Sequence, residues 1–500
     1  MAFLISLQLF ASAWLVPIVV LALVGAVWAV RHPLTALFAL AVYLPFEPLL
    51  LKFLPDAVYV FVRYVPEILI YCLVALVLWR LASGRARWHP SPLDVPFAIF
   101  LVILAASSLI NAVPPFVAVL GIRQIIRFIL LFFIVRQLEP DQAYIRRLTI
   151  ALFGVAAFEA ALGLIQHFAG GQLDAFLLPS AARQFSDITL TSGVSEFWDP
   201  GSRVFATLGR YDRLGEFLGF FLAFAVAFLY QPLASAASSG ARAAWSRVRL
   251  IRRELWWLLA LGIPALVLTY SRASWFAFLG AALFIAVILY RDRRALAAFL
   301  VAVALLAGYL VFSKLNVSVI VEEPGQTLAE RFFETFSYTR WVSEYYGLGR
   351  LYWIVETPRA VVRSAPFFGV GPGQYGGGAA AALHRTAAYD RLNLPFGVYG
   401  TDGYIDNNWF SLWGETGTLG LIVFLWMFAL LFRNAWRLAH RGTDAFSRGL
   451  GAGYAAALLG ASLIGFLSTA FEIRTFGFYL WLCGGFVLCL LPAGVGKKRV

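Results

Sequence analysis

Long apolar runs follow one another along almost the whole chain, and one polar stretch, 313–405, interrupts the series. This layout leaves few folds open. Inside hydrocarbon every backbone N–H and C=O must be satisfied within the protein, so only helices or a closed barrel can cross. The runs are about 16 to 25 residues long and do not alternate, which fits helices and not barrel strands. Hydrophobic residues make up 61% of the chain and charged residues 13%, against roughly 25% charged in soluble proteins. The mean hydropathy of +0.79 agrees. The expected fold is an all-α polytopic membrane protein.

Spans are predicted at 11–30, 33–51, 65–80, 94–112, 117–135, 148–168, 214–231, 254–270, 273–290, 295–312, 415–432, 449–471 and 474–492, or about 12–13 transmembrane helices. The second carries Pro45, Glu47 and Pro48 and is expected to be broken or re-entrant. Three regions follow: a helix bundle over 1–312, a structured cap over 313–405, and C-terminal helices over 406–500. Basic clusters recur at every second connection. They fall at Arg31, at 80–87, at 136–147, at 242–253, at 291–294, at 433–448 and at 497–499. The positive-inside rule assigns these to the cytoplasm. The cap, the 169–213 segment and Arg272 are then expected outside.

The net charge of +13 lies mostly at helix ends, so it sets orientation and does not predict nucleic-acid binding. Cys72, Cys483 and Cys489 all sit inside apolar runs, which suggests neither a disulfide framework nor a metal site. No cleavable signal peptide is expected, because the first apolar run lacks a basic n-region and a small-residue cleavage site.

Arginine is the recurrent outer-side residue. Arg123 and Arg127 stand four apart on one helix face. Arg203 and Arg210 flank Val-Phe-Ala-Thr-Leu-Gly, Arg272 opens a span, and Arg350 lies in the cap. Ionisable groups in spans are costly and usually face the bundle interior or a wet cavity. Arginine also suits bidentate phosphate binding, so convergence of these side chains would suit a pyrophosphate. The plainer alternative is helix-end arginines snorkelling to lipid phosphates. Asp406 precedes Asn407 and Asn408 where the cap re-enters the membrane. It is either a general base or an N-cap of the following helix. Glu415 starts the next span and could simply complement a helix dipole. The glycine-rich 369–378 loop resembles a phosphate cradle but lacks the Lys-Ser/Thr of a P-loop. Glu159 and His167 are expected to be packed polar residues.

Taken in order, these stretches resemble the O-antigen ligase and polymerase superfamily of bacterial membrane glycosyltransferases. The matching elements are Arg203-Val-Phe-Ala-Thr-Leu-Gly-Arg210, Tyr270-Ser-Arg-Ala-Ser-Trp275 and Gly349-Arg-Leu-Tyr-Trp353. Pro366-Phe-Phe-Gly-Val-Gly-Pro-Gly-Gln-Tyr375 and the stretch from Asp406 to Gly420 complete the series. The resemblance covers roughly 200–435. It implies a GT-C-like, metal-independent, inverting transferase needing no cofactor. Such an enzyme moves a glycan from an undecaprenyl-pyrophosphate donor to a glycan or lipid-linked acceptor. The expected location is the bacterial inner membrane, among membrane lipids, with the site facing the periplasm or cell exterior. On this pattern Arg272 and Arg350 contact the donor pyrophosphate. Arg123, Arg127, Arg203, Arg210, Asn407 and Glu415 add contacts to pyrophosphate or glycan. The family's ligases carry histidine where this chain has Asp406. That departure favours a polysaccharide polymerase over a ligase acting on lipid A core. A transporter or flippase is the non-enzyme rival, but charges crowd one interface and no internal repeat shows.

Overall fold

The computed structural model describes residues 24–492 except 55, 180–182, 186–187, 192–200, 232–240, 313–326 and 401–402. The described residues are helical, apart from one short antiparallel hairpin that pairs Arg183–Phe185 with Ile188–Thr191. Among the described residues, seven helices are long and apolar enough to cross a bilayer: Pro33–Lys52, Phe61–Ala82, Gln142–Phe168, Tyr211–Tyr230, Arg272–Leu289, Arg293–Val311 and Asn408–Arg441. The bent pair Pro115–Ile126 and Ile129–Leu138 makes an eighth if counted as one span. The spans expected at 94–112 and 474–492 become the shorter apolar helices Asp94–Ile110 and Arg474–Cys489. Those expected at 254–270 and 449–471 lie on Ala241–Leu268 and Ala445–Ile464. The span expected at 11–30 falls largely outside the described residues. The chain is an all-α polytopic membrane protein in its architecture.

Two N-terminal spans are irregular, each for a local reason. Pro33–Tyr43 and Glu47–Lys52 are joined by a 3-10 turn, Leu44–Phe46. Pro45 sits in that turn, where its missing N–H costs least. The predicted 117–135 span bends by 57° near Arg127. Neither proline nor glycine stands at that bend. Instead the Arg127 guanidinium donates to Glu67 and to the Glu472 carbonyl, both at 2.7 Å, so charge pairing holds it.

Small residues bring the central helices together. Tyr211–Tyr230 packs on Ala445–Ile464, which packs in turn on Asn408–Arg441. A Cβ at Gly449 would lie 2.5 Å from the Phe228 ring, and one at Gly453 would lie 2.7 Å from that of Phe224. Lipid gives helices no hydrophobic reason to associate, so close contact of this kind supplies the attraction. Large apolar residues such as Leu109 and Leu305 point outward and are exposed, as a lipid-facing surface requires.

The Asn408–Arg441 helix is broken at Gly417, whose backbone is left-handed (φ 69°). Beyond the break, Thr418 and Leu419 donate to the carbonyls of Pro366 and Phe367. A Cβ on Gly417 would meet the Phe367 carbonyl at 2.3 Å, so no larger side chain fits.

Candidate functional site

Three arginines of the motif stretches stand at helix N-termini, as Arg293 and Arg474 do elsewhere. Arg210 caps Tyr211–Tyr230, while Arg272 and Arg350 each hold the first position of Arg272–Leu283 and Arg350–Ser364. A helix N-terminus already carries partial positive charge, so a cation there is unfavourable and an anion favourable. None of the three helices has a side-chain N-cap hydrogen bond. Electrostatics link them: Arg272 feels Arg331, Glu334, Arg340 and Arg350, and Arg210 feels Asp406.

Glu334 holds the middle of this group. It is 2% exposed and accepts from Arg272 (3.3 Å), Arg331 (3.2 Å) and Arg340 (3.5 Å). Arg340 also pairs with Glu344 at 3.0 Å, and Glu344 accepts the Arg350 backbone N–H at 3.0 Å. Arg350 pairs with Asp406 at 3.1 Å, and Arg210 with Asp212 at 3.1 Å. Arg203 lies over the Tyr211 ring. With Arg213 included, seven arginines share the region with Asp212, Glu334, Glu344 and Asp406. Cations outnumber anions. Burial first, and then nearby Arg203, holds the Arg331 guanidinium below its ordinary range. An added anion would relieve that crowding.

Asp406 is free of the capping role. Asn407 is the N-cap of Asn408–Arg441: its side chain accepts from Phe410 N–H at 3.1 Å and donates to the Phe466 carbonyl at 2.8 Å. Asn407 is fully buried, whereas the Asp406 side chain is 40% exposed beside an Arg350 that is 39% exposed. With Arg210, whose side chain is 46% exposed, the pair forms the open part of the cluster.

Other candidates have inward duties. Arg123 and Arg127 pair with Glu67 at 2.6 and 2.7 Å, and Arg474 joins them through Glu67 and Glu47. Glu415 is buried and accepts from the Gly373 N–H at 3.0 Å, while its carbonyl takes the Gly371 N–H. The glycine-rich loop is a packing device. Val370 donates to the Gly414 carbonyl, Gly376 to the Tyr389 hydroxyl and Gly378 to Glu472. A Cβ at Gly121 would lie 2.2 Å from Gly373 N, so the loop and the bent helix touch backbone to backbone. Glu159 and Gln166 hold the Arg203–Arg210 strap. Gln166 accepts from Phe205 and Ala206 N–H at 3.0 Å each, and Glu159 accepts from Thr207 N–H at 3.1 Å. Glu159 is thus a packed polar residue, as expected.

Sequence reading left Glu334, Arg331 and Arg340 without a role. One signal was available: 327–344 carries a capping box, Thr327 with Glu330, followed by charges at helical spacing. That pattern marks a helix but not which carboxylate gathers the arginines.

The fold is that of a helical multi-pass membrane protein, and its candidate site is an arginine-rich cluster of paired charges. Residues 257–425 match the family model described as O-antigen ligase, which supports the O-antigen ligase and polymerase superfamily for this chain. The matched stretch contains Arg272, Arg331, Glu334, Arg340, Arg350, Asp406 and Glu415. No curated protein matches the chain.

Proposed function

We propose that the protein is a polysaccharide polymerase-type glycosyltransferase of the bacterial inner membrane, with its basin facing the periplasm or cell exterior. The donor is an undecaprenyl-pyrophosphate-linked glycan. The observation that carries this reading is the excess of arginine at three helix N-termini beside a half-open Asp406–Arg350 pair. A lipid-held pyrophosphate supplies the anion that this arrangement lacks.

In the proposed reaction an acceptor hydroxyl oxygen attacks the anomeric carbon of the donor sugar. The bond from that carbon to the pyrophosphate oxygen breaks, and its electron pair leaves with undecaprenyl pyrophosphate. Arg272 and Arg350 take up the developing charge, which is where electrostatic stabilisation acts most strongly. Glu334 holds Arg272, Arg331 and Arg340 in place. Asp406 accepts or orients the hydroxyl proton, and Arg350 orients Asp406. Attack opposite the leaving group inverts the anomeric centre.

A ligase acting on lipid A core would use the same chemistry with another acceptor. Asp406, standing where the family's ligases have histidine, favours the polymerase. Purified protein in nanodiscs with a lipid-pyrophosphate-linked glycan tests the reaction. Chain growth with release of undecaprenyl pyrophosphate supports the proposal, and donor movement without bond cleavage replaces it with transport. Glycan length in a deletion strain separates polymerase from ligase: short chains still attached to core mark a polymerase. Impermeant thiol labelling at Thr386→Cys and Thr443→Cys, both exposed, tests the orientation. Reaction at the second position but not the first in intact cells would reverse it.

A further inference from the structure

The Tyr338–Tyr346 helix is built inside out for a water-exposed cap. At helical spacing, Tyr338, Trp341, Val342, Tyr345 and Tyr346 share one face, and Arg340, Ser343 and Glu344 share the other. In a soluble protein the aromatic face would be buried and the charged face wet. Here the reverse holds. Glu344 is 9% exposed and pairs with Arg340 inside the arginine basin, while Tyr338 is 82%, Tyr346 77% and Trp341 41% exposed. The preceding turn continues the aromatic face with Phe336.

Depth is set by the neighbouring contacts. Phe332 packs on Phe276 of the Arg272–Leu289 span, and Phe333 packs on Tyr309 of the Arg293–Val311 span, with ring centroids 6.1 and 4.8 Å apart. Residues 328–346 therefore start against membrane-spanning helices and run on with Tyr338, Trp341 and Tyr346 uncovered, while Tyr345 packs on Tyr352 and donates to Glu356 at 2.8 Å. Tyrosine and tryptophan favour the headgroup layer, where an apolar ring meets lipid and the polar tip stays wet. The Trp341 indole N–H is already satisfied, donating to the Thr335 carbonyl at 2.9 Å.

We propose that 328–346 is an interfacial anchor whose aromatic face lies in the outer leaflet of the bilayer. Its opposite face carries Arg340 and Glu344, and its chain leads directly into Arg350. The anchor holds the arginine basin at headgroup depth, where a lipid-borne phosphate lies. The partner is a lipid surface and not a glycan.

The test uses full-length protein in phosphatidylethanolamine/phosphatidylglycerol nanodiscs, with Cys72, Cys483 and Cys489 replaced. Spin labels at Tyr338→Cys, Trp341→Cys, Tyr346→Cys and, as control, His384→Cys are read by power saturation. The expected result is oxygen accessibility above that of a water-soluble nickel complex at the three aromatic positions, and the opposite at 384. Water-like values at all four positions overturn the anchor. Water-like values that become protected only on adding polysaccharide also overturn it and assign the face to glycan. A second arm rests on the transferase reading. The double variant Trp341→Ser, Tyr346→Ser should raise KM for a long-prenyl donor roughly tenfold, as loss of one buried ring would. It should leave kcat, and KM for a short water-soluble donor, unchanged. The depth measurement stands even if that reading fails.

Discussion

Two carboxylates in this molecule each gather three arginines, and they do so in different ways. Glu67 holds Arg123, Arg127 and Arg474, the closest pairs at 2.6 and 2.7 Å. Glu334 holds Arg272, Arg331 and Arg340 at 3.2 to 3.5 Å. Both carboxylates are almost fully buried. Around Glu67 most remaining donors find partners: Arg474 reaches Glu47 and the Arg63 carbonyl, and Arg127 reaches the Glu472 carbonyl, although its Nε has none among the described residues. Around Glu334 the surroundings add two further cations, Arg350 and Arg203, and one carboxylate, Glu344. A closed set of charges inside a bundle fixes helices. An open set with excess charge is what the proposed anionic donor would require.

The largest expected effect breaks the closed network. Glu67→Ala leaves Arg123 and Arg127 without their carboxylate, and an uncompensated buried charge costs about 3–5 kcal/mol. Folded protein should be lost, read as a collapse of the monodisperse peak in detergent. Normal yield and melting behaviour would show that the two networks do not differ as described.

Changes in the open network should spare the fold and remove activity. Asp406→Asn should lower turnover by about 10²–10⁴, the usual contribution of a positioned base. Because Asn407 is the cap, stability should not change. Near-normal turnover with normal expression would leave Asp406 only a surface role.

Arg272→Ala and Arg350→Ala come next. Loss of one charge-assisted contact costs about 1.5–3 kcal/mol, or roughly ten- to a hundredfold in transfer. Arg350 is the more exposed, so its loss should fall at the lower end. Lysine should not rescue either, since the bidentate fork is lost. Donor titration at wild-type affinity in a folded Arg272→Ala protein would remove this residue from the site.

The smallest effect belongs to a carboxylate outside both networks. Asp444 caps Ala445–Ile464, accepting from Phe446 and Ser447 N–H. Asp444→Ala should cost about 1 kcal/mol of stability and leave transfer kinetics untouched. A kinetic defect there would mean that capping and catalysis are not separable in this bundle.

Much of this was legible in one dimension. The run lengths and the low charge dictate membrane helices, because a bilayer admits little else. The order of Arg203, Arg210, Arg272, Arg350 and Asp406 around one polar stretch also suggests where a site would form. Pairing was not legible. Asp406, Asn407 and Asn408 are all good caps by type, and only backbone geometry selects Asn407. The 369–378 glycines read as a phosphate loop, yet their N–H groups go to Glu415, Glu472, Tyr389 and backbone carbonyls.

The sequence by itself determined the solvent each segment would meet, since hydropathy is a local property and the bilayer reads it residue by residue. Only the tertiary structure decided what each charge would do. Arg127 and Arg272 are alike as residues, both near a helix end in an apolar run. Arg127 closes tightly on Glu67, 2.7 Å away, whereas Arg272 opens a helix and reaches Glu334 only at 3.3 Å, a carboxylate it shares with Arg331 and Arg340. Electrostatic energy depends on distance and burial, and neither is written in the chain until the helices pack.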